Sequence, residues 1–460
     1  MRDLTKGSET SSIILFALPM LLGNVFQQFY NMVDSWVVGR FVGTGALAAV
    51  GTSFPVIFLM LALIMGVTMG TTVLVSQYYG AKDFDKVRKA VNTGYAFIFW
   101  AGIALTVAGV ALAAPIMRLL GVPEEIMPEA TAYLRIIFAG SLTTFGYNAV
   151  SAILRGLGDS KTPLYLLIAA TLVNVVLDLV FVAVFHWGVA GAAWATVISQ
   201  AISFLGSLAI LDKRNPFVRV APREVRVDRD IFRLTLRIGL PTGVQQTLVA
   251  AGMMVLTRVV NGFGAATMAG FAAASRLDSF AAMPAMNLSQ ALSTFVGQNL
   301  GAGKPERVRR GHLSAMAVGT GFSILTSVLV MALGAPLVSI FSDDPGVIAV
   351  GARYLFIVGA FYVLFSTMFI NNGVLRGAGD AMIPMINTIL ALWVVRVPLA
   401  ILFSGPLGMG SDGIWWSIPA GWLVGAVFST LYYRTGKWKD KALVRARPAS
   451  EAELEAEGSV

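Results

Sequence analysis

The chain has 460 residues, 56% of them hydrophobic and 13% charged, and a formal net charge of +9. So few charged side chains exclude an ordinary water-soluble domain, and the composition is that of an integral membrane protein. Cysteine is absent, which excludes disulfides, thiolate metal sites and a cysteine nucleophile.

Residues 1–11 carry only Arg2 and Lys6, and no small-residue cleavage signal follows, so no removable signal peptide is expected. Apolar runs of about 20 residues or more, enough to cross roughly 30 Å of hydrocarbon as a helix, recur from residue 13 to residue 433. Strands of an outer-membrane barrel would alternate instead. Twelve helical spans are predicted, starting near residues 13, 48, 91, 132, 163, 189, 235, 267, 313, 350, 383 and 413. The basic, polar stretch 212–234, "DKRNPFVRVAPREVRVDRDIFRL", reads as a cytoplasmic linker. The tail 434–460 turns from basic to acidic without an apolar face, so it is expected to be disordered and dispensable.

With twelve spans both termini share one side. The segments on that side hold 27 of the chain's 34 Lys and Arg, which makes it the cytoplasm and the bilayer the plasma (inner) membrane. These residues are spread over short loops and suit anionic lipid headgroups. No soluble basic domain exists to suggest nucleic acid, and the chain is expected to act as a monomer.

The chain repeats itself. "LRGLGDSKTP" at 154–163 returns as "LRGAGDAMIP" at 375–384, an offset of 221 residues. Gln77 with Gln298, Gly80-Ala81 with Gly301-Ala302, Pro115 with Pro336 and Tyr133-Leu134 with Tyr354-Leu355 keep the same offset. One unit therefore spans six helices, and an even number gives two pseudo-symmetric lobes of like orientation: an N-lobe at 12–211 and a C-lobe at 235–433. The expected site is a large cavity between them.

Gly-Leu-Gly-Asp at 156–159 matches the signature of intramembrane aspartyl proteases, whose chemistry needs a second aspartate to share the proton. Here the motif occurs twice at the repeat offset, before Pro163 and Pro384, and has no Tyr-Asp partner. It reads as a tight turn with a helix-capping Asp. No His-Glu-x-x-His or Gly-x-Ser-x-Gly is present, so an enzyme is not expected.

In "ATLVNVVLDLVFVAVF" at 170–185 a single carboxylate, Asp178, lies in an apolar run, with Asn174 one turn earlier on the same face. In the first span Gln27, Tyr30, Asn31 and Asp34 fall at i, i+3, i+4 and i+7 and form a polar stripe. At about 1.5 Å per residue, Asp34 lies roughly 9 Å inside Arg40 and Asp178 roughly 12 Å inside His186. Thr196 reaches a similar depth in span six, so all three can meet in the outer half of the N-lobe. A buried carboxylate is costly to ionise, and a second one nearby adds repulsion, so protonation can toggle with conformation. Two carboxylates with Asn and Thr oxygens equally offer a hard cage for Na+. The bland alternative is that both aspartates are hydrogen-bonded and merely pin helices together.

"LPMLLGNVFQQFYNMVDSWVVGRFVGTGALAAVG" at 18–51, "QYYGAKD" at 77–83, the paired "LRG" motifs and "FVGQNLGAG" at 295–303 resemble the multidrug and toxic compound extrusion (MATE) family over about residues 10–435. The resemblance implies a secondary antiporter that exports bulky, often cationic and lipophilic compounds in exchange for H+ or Na+, without a cofactor. It also implies that Asp34, Asn174, Asp178 and Thr196 hold the coupling ion. Gln27, Tyr30, Asn31, Tyr133, Asn148 and Ser151 would line the substrate cavity, and Pro19 would bend the first helix. Spans seven and ten lack the carboxylates of the family's sodium-coupled branch, carrying Gln245, Gln246, Asn371 and Asn372 instead, so no C-lobe sodium site is expected. Arg276, Asp278 and Arg396 are read as a paired structural group at the outer mouth. Nineteen methionines suit a cavity that repacks around varied ligands. A lipid-linked oligosaccharide flippase is the alternative; sparse intramembrane arginine argues against it.

Overall fold

The computed structural model describes residues 2–214 and 226–444, so the middle of the predicted linker and the tail beyond 444 lie outside the described residues. No strand occurs among those described. In the first half, α1 spans Glu9–Phe41, α2 Thr44–Gly80, α3 Phe84–Leu119, α4 Met127–Ala139, α5 Ser141–Gly156, α6 Lys161–Asp178 and α7 Gly188–Arg214. In the second, α8 spans Arg229–Asn261, α9 Ala265–Gly301, α10 Pro305–Ser339, α11 Pro345–Gly359, α12 Tyr362–Gly377, α13 Met382–Thr388, α14 Val397–Ser404 and α15 Ser411–Arg434. Two wider π-helical stretches, Leu179–Val184 and Ile389–Arg396, extend α6 and join α13 to α14.

Among the described residues nine helical spans are long and apolar enough to cross a bilayer. The pairs α4–α5 and α11–α12, bent by 47° and 53°, each make one more. The remaining span is α9, whose 37 residues are ample for about 30 Å of hydrocarbon but include Arg276 and Asp278. Twelve spans result, six per lobe. Their starts are set by familiar local chemistry: Asp83, Asp228 and Asp344 accept backbone N–H groups at the first turns of α3, α8 and α11. Asp159 of the first "LRG" motif caps α6, accepting from Lys161 N at 3.1 Å and Thr162 N at 3.0 Å. Its counterpart Asp380 accepts from the Tyr432 hydroxyl at 2.7 Å instead.

The apolar interior tells where the lobes part. Far from the termini each lobe keeps its own core: Val37, Met60, Tyr133 and Phe138 in the first, Leu256, Tyr354, Trp415 and Ile418 in the second. At the end carrying both termini the cores merge, because Leu4, Ile13 and Phe16 pack among Leu292, Phe295 and Leu375 of the other lobe. There α2 crosses α9. A Cβ on Gly80 would stand 2.0 Å from the Gln298 carbonyl oxygen, and one on Gly301 the same 2.0 Å from that of Gln77, so this crossing is open only to glycine. The Gln77 amide donates to Gly377 O at 2.9 Å, and the repeat-related Gln298 to Gly156 O at 3.0 Å.

The termini complete this pair. Gln298 Oε1 accepts from Leu4 N, and Gln77 Oε1 accepts from Leu443 N and Val444 N. The first part of the tail, expected to be disordered, is therefore folded: Lys437–Lys441 form a 3₁₀ turn, Trp438 is buried against Tyr433, and the following backbone finds a buried acceptor. The composition of the tail concealed this, because one tryptophan and two backbone groups do the holding.

Candidate functional site

Two polar regions lie within this frame. The first is inside the N-lobe, where α1, α4, α6 and α7 converge. Asn174 and Asp178 are fully buried on α6, and Asp178 is its last residue before the backbone widens into the π-helical stretch. Such widenings are frequent at functional sites. From α1 the half-buried Asp34 joins them, close enough to Asp178 to interact electrostatically, with Tyr30 and Tyr133 in range of both. The Tyr30 hydroxyl and Thr196 Oγ1 are 2.9 Å apart.

The decisive feature is what these groups lack. Asp34 Oδ1, both Asp178 oxygens and both amide atoms of Asn174 are buried without a hydrogen-bond partner. Each such atom costs about 1–3 kcal/mol, and a buried charge costs more, so the cluster is a candidate site for a neutralising proton or cation. Either a proton shared between the carboxylates or a hard cation among their oxygens meets that need. Among the described residues no group of three His, Cys, Asp or Glu forms a metal centre.

The second region is a cavity of about 550 Å³ between the lobes, within the range of pockets for drug-sized ligands. Of the residues proposed for the substrate cavity, Gln27, Asn148 and Ser151 line it, and so does Pro19, which was expected only to bend the first helix. Tyr30, Asn31 and Tyr133 do not. Tyr30 and Tyr133 belong to the N-lobe cluster, and Asn31 is exposed elsewhere on α1. At about 100° per residue Tyr30 and Asn31 are neighbours in sequence but stand on opposite edges of the stripe, so one turns into the lobe and the other out of it. The helix α1 runs unbroken from Glu9 to Phe41 through Pro19.

Sequence reasoning missed the cavity's charge. Arg155, Arg376 and Arg396 all line it, and no carboxylate does. Arg155 and Arg376, which are among the 27 Lys and Arg counted on the cytoplasmic side, sit in the last turns of α5 and α12. The signal was present, since both belong to the repeated "LRG". Of the expected group, Arg396 lies within electrostatic range of Asp278 without an ion-pair contact, and Arg276 stands apart. Asp278 instead accepts from the Tyr362 hydroxyl at 2.8 Å and from that of Tyr354 at 3.4 Å, while Arg276 stacks over Phe341. The two phenols supply the carboxylate's hydrogen bonds, and the Arg396 charge lies nearby.

A family model described as MatE matches residues 19–180 and again 241–402, one match per lobe. The chain belongs to the MATE family. It is 35% identical to the probable multidrug resistance protein YpnP of Bacillus subtilis, covering 95% of this chain and 97% of that one. Two solved structures cover 95% of this chain and 98% of their own. One is an outward-facing multidrug resistance MATE family transporter, with a TM-score of 0.89 and 26% identity. The other is a MOP superfamily transporter from Pyrococcus furiosus Vc1, for which a reverse polarity of the binding pocket is said to suggest a different function; its TM-score is 0.88 at 25% identity. As a MATE chain this protein is a membrane transporter and not an enzyme.

Proposed function

We propose that this MATE chain is a secondary antiporter of the bacterial inner membrane, with both termini in the cytoplasm. It exports bulky lipophilic compounds through the cavity between lobes 12–211 and 235–433, in exchange for H+ or Na+ held at Asp34, Asn174, Asp178 and Thr196. The observation that carries this reading is the set of five buried, unpartnered atoms of Asp34, Asn174 and Asp178, set apart from the substrate cavity. Ion and substrate then need not compete for the same ligands. Each favours one access state, and the exchange follows from population shift. The protein works as a monomer among anionic lipids, which its basic loops contact.

One observation favours a second reading. The case against a flippase for an anionic lipid-linked cargo was the scarcity of membrane arginine, and three arginines line this cavity.

The test uses proteoliposomes loaded with rhodamine 6G, a cation, and fluorescein, an anion, under an imposed proton gradient and separately a sodium gradient. Gradient-driven export of either dye, lost in an Asp34→Asn, Asp178→Asn double variant, supports antiport and names the ion. Gradient-independent flux, or none, overturns it and leaves the flippase.

A further inference from the structure

We infer that the central cavity selects amphipathic anions, carboxylates or phosphates on an apolar body, rather than the cations expected from family resemblance. The inference rests on the cavity being the substrate site proposed above, and it concerns only what that site binds.

The lining divides into two kinds of surface. Met20, Met65, Met69, Met253, Met286 and Met368 supply flexible thioethers, joined by Phe365, Phe369 and Trp422. Such a wall accepts many apolar shapes. Charge enters from one sign only. Arg155 and Arg376 come from opposite lobes at repeat-related positions, and Arg396 comes from the C-lobe. A guanidinium is never deprotonated in proteins and presents five N–H donors in a plane, a geometry matched to carboxylate and phosphate.

These donors are not consumed by the protein. Arg376 Nη2 bonds only the neutral Gln245 Oε1, at 3.0 Å, and the Nε of each of the three arginines is buried without a partner. Among the described residues none of them forms an ion pair. The neighbouring carboxylates are held elsewhere: Asp159 by the start of α6, Asp380 by Tyr432, and Asp278, which lies within electrostatic range of Arg396, by Tyr354 and Tyr362. Three cations lining one cavity disfavour a cationic substrate, whereas an anionic head is attracted to each of them. Cation–π attraction to Trp422 or the phenylalanines would have to overcome that repulsion.

Fluorescein and rhodamine 6G share a xanthene core and carry opposite charge, so their equilibrium binding to the protein in zwitterionic nanodiscs, read by fluorescence polarisation against empty nanodiscs, tests the preference. Fluorescein is expected to bind more tightly. Arg155→Gln and Arg376→Gln are each expected to weaken fluorescein by about tenfold, with the Lys variants recovering most of the loss. Competition by phosphatidic acid and by octyl phosphate separates a lipid headgroup from a free amphiphile as the source of the anion. Tighter binding of rhodamine 6G to the unaltered protein overturns the inference, whether or not the arginine variants fold. Because binding needs no gradient, anion binding without coupled flux would sink the antiport reading alone, and coupled export of rhodamine 6G without fluorescein binding would sink this one alone.

Discussion

The two lobes descend from one repeat but treat their buried carboxylates in opposite ways. Tyr133 and Tyr354 stand 221 residues apart at equivalent places. In the N-lobe, Tyr133 lies near Asp34 and Asp178, and three carboxylate oxygens there have no donor. In the C-lobe, Tyr354 and Tyr362 both donate to Asp278, tying α9 to α11 and α12. The fifth span of the N-lobe carries Asp178, whereas that of the C-lobe carries Arg396 and no carboxylate. A buried acid whose oxygens are occupied holds helices together; one whose oxygens are free can take up and release an ion. The coupling proposed above would thus draw on the carboxylates of one lobe only.

The largest effect that would break this comparison is loss of coupling. Asp178→Asn is expected to abolish the gradient dependence of export, removing a coupling energy of about 1–3 kcal/mol, while insertion and folding persist. Its thermal unfolding should occur no lower than that of the unaltered protein, because the substitution removes an uncompensated buried acid. Measured side by side, Asp34→Asn should behave alike. Retained coupling in the double variant would make both aspartates mere fixtures, the bland alternative that their lack of donors argues against.

Twelve spans, two lobes and the approach of the first span to the fifth and sixth, with Asp34 near Asp178 and Tyr30 against Thr196, were legible in the sequence because each rests on local periodicity, run length or repeat offset. What faces what was not. The arginines of "LRG" read as loop residues because hydropathy alone cannot tell a helix's last turn from the turn beyond it. Asp278 read as an ion-pair partner because charge is visible in sequence, whereas two tyrosine hydroxyls converging from α11 and α12 are not. The assignment of Tyr30 and Asn31 to the cavity failed on rotation about one helix, a matter of which edge of a stripe turns inward.

The C-lobe half of the comparison predicts a smaller effect of opposite kind. Asp278→Asn loses the two tyrosine donors as charge-assisted partners and should destabilise the protein by about 1–3 kcal/mol in thermal unfolding. Below its unfolding range the variant should still couple export to the gradient. A variant as stable as the parent but uncoupled would move the coupling role into the C-lobe.

The smallest expected effect concerns the place where the lobes are alike. Gln77 and Gln298 each bridge the lobes and cap a terminal segment, so Gln77→Ala leaves Gly377 O, Leu443 N and Val444 N without their buried partner, and Gln298→Ala leaves Gly156 O and Leu4 N. Each lost hydrogen bond is worth about 1 kcal/mol, enough to shift an equilibrium between closed and open forms of this end severalfold without unfolding either lobe. The chain's lack of cysteine makes the measurement clean. Asp85→Cys and Glu306→Cys, exposed at the repeat-related starts of α3 and α10, give a spin-label pair across the junction. Both glutamine variants should broaden the distance distribution toward longer separations, Gln77→Ala the more because it frees three groups rather than two. An unchanged distribution in both would mean that the glycine crossing of α2 and α9 closes this end alone, and that the termini only cover it.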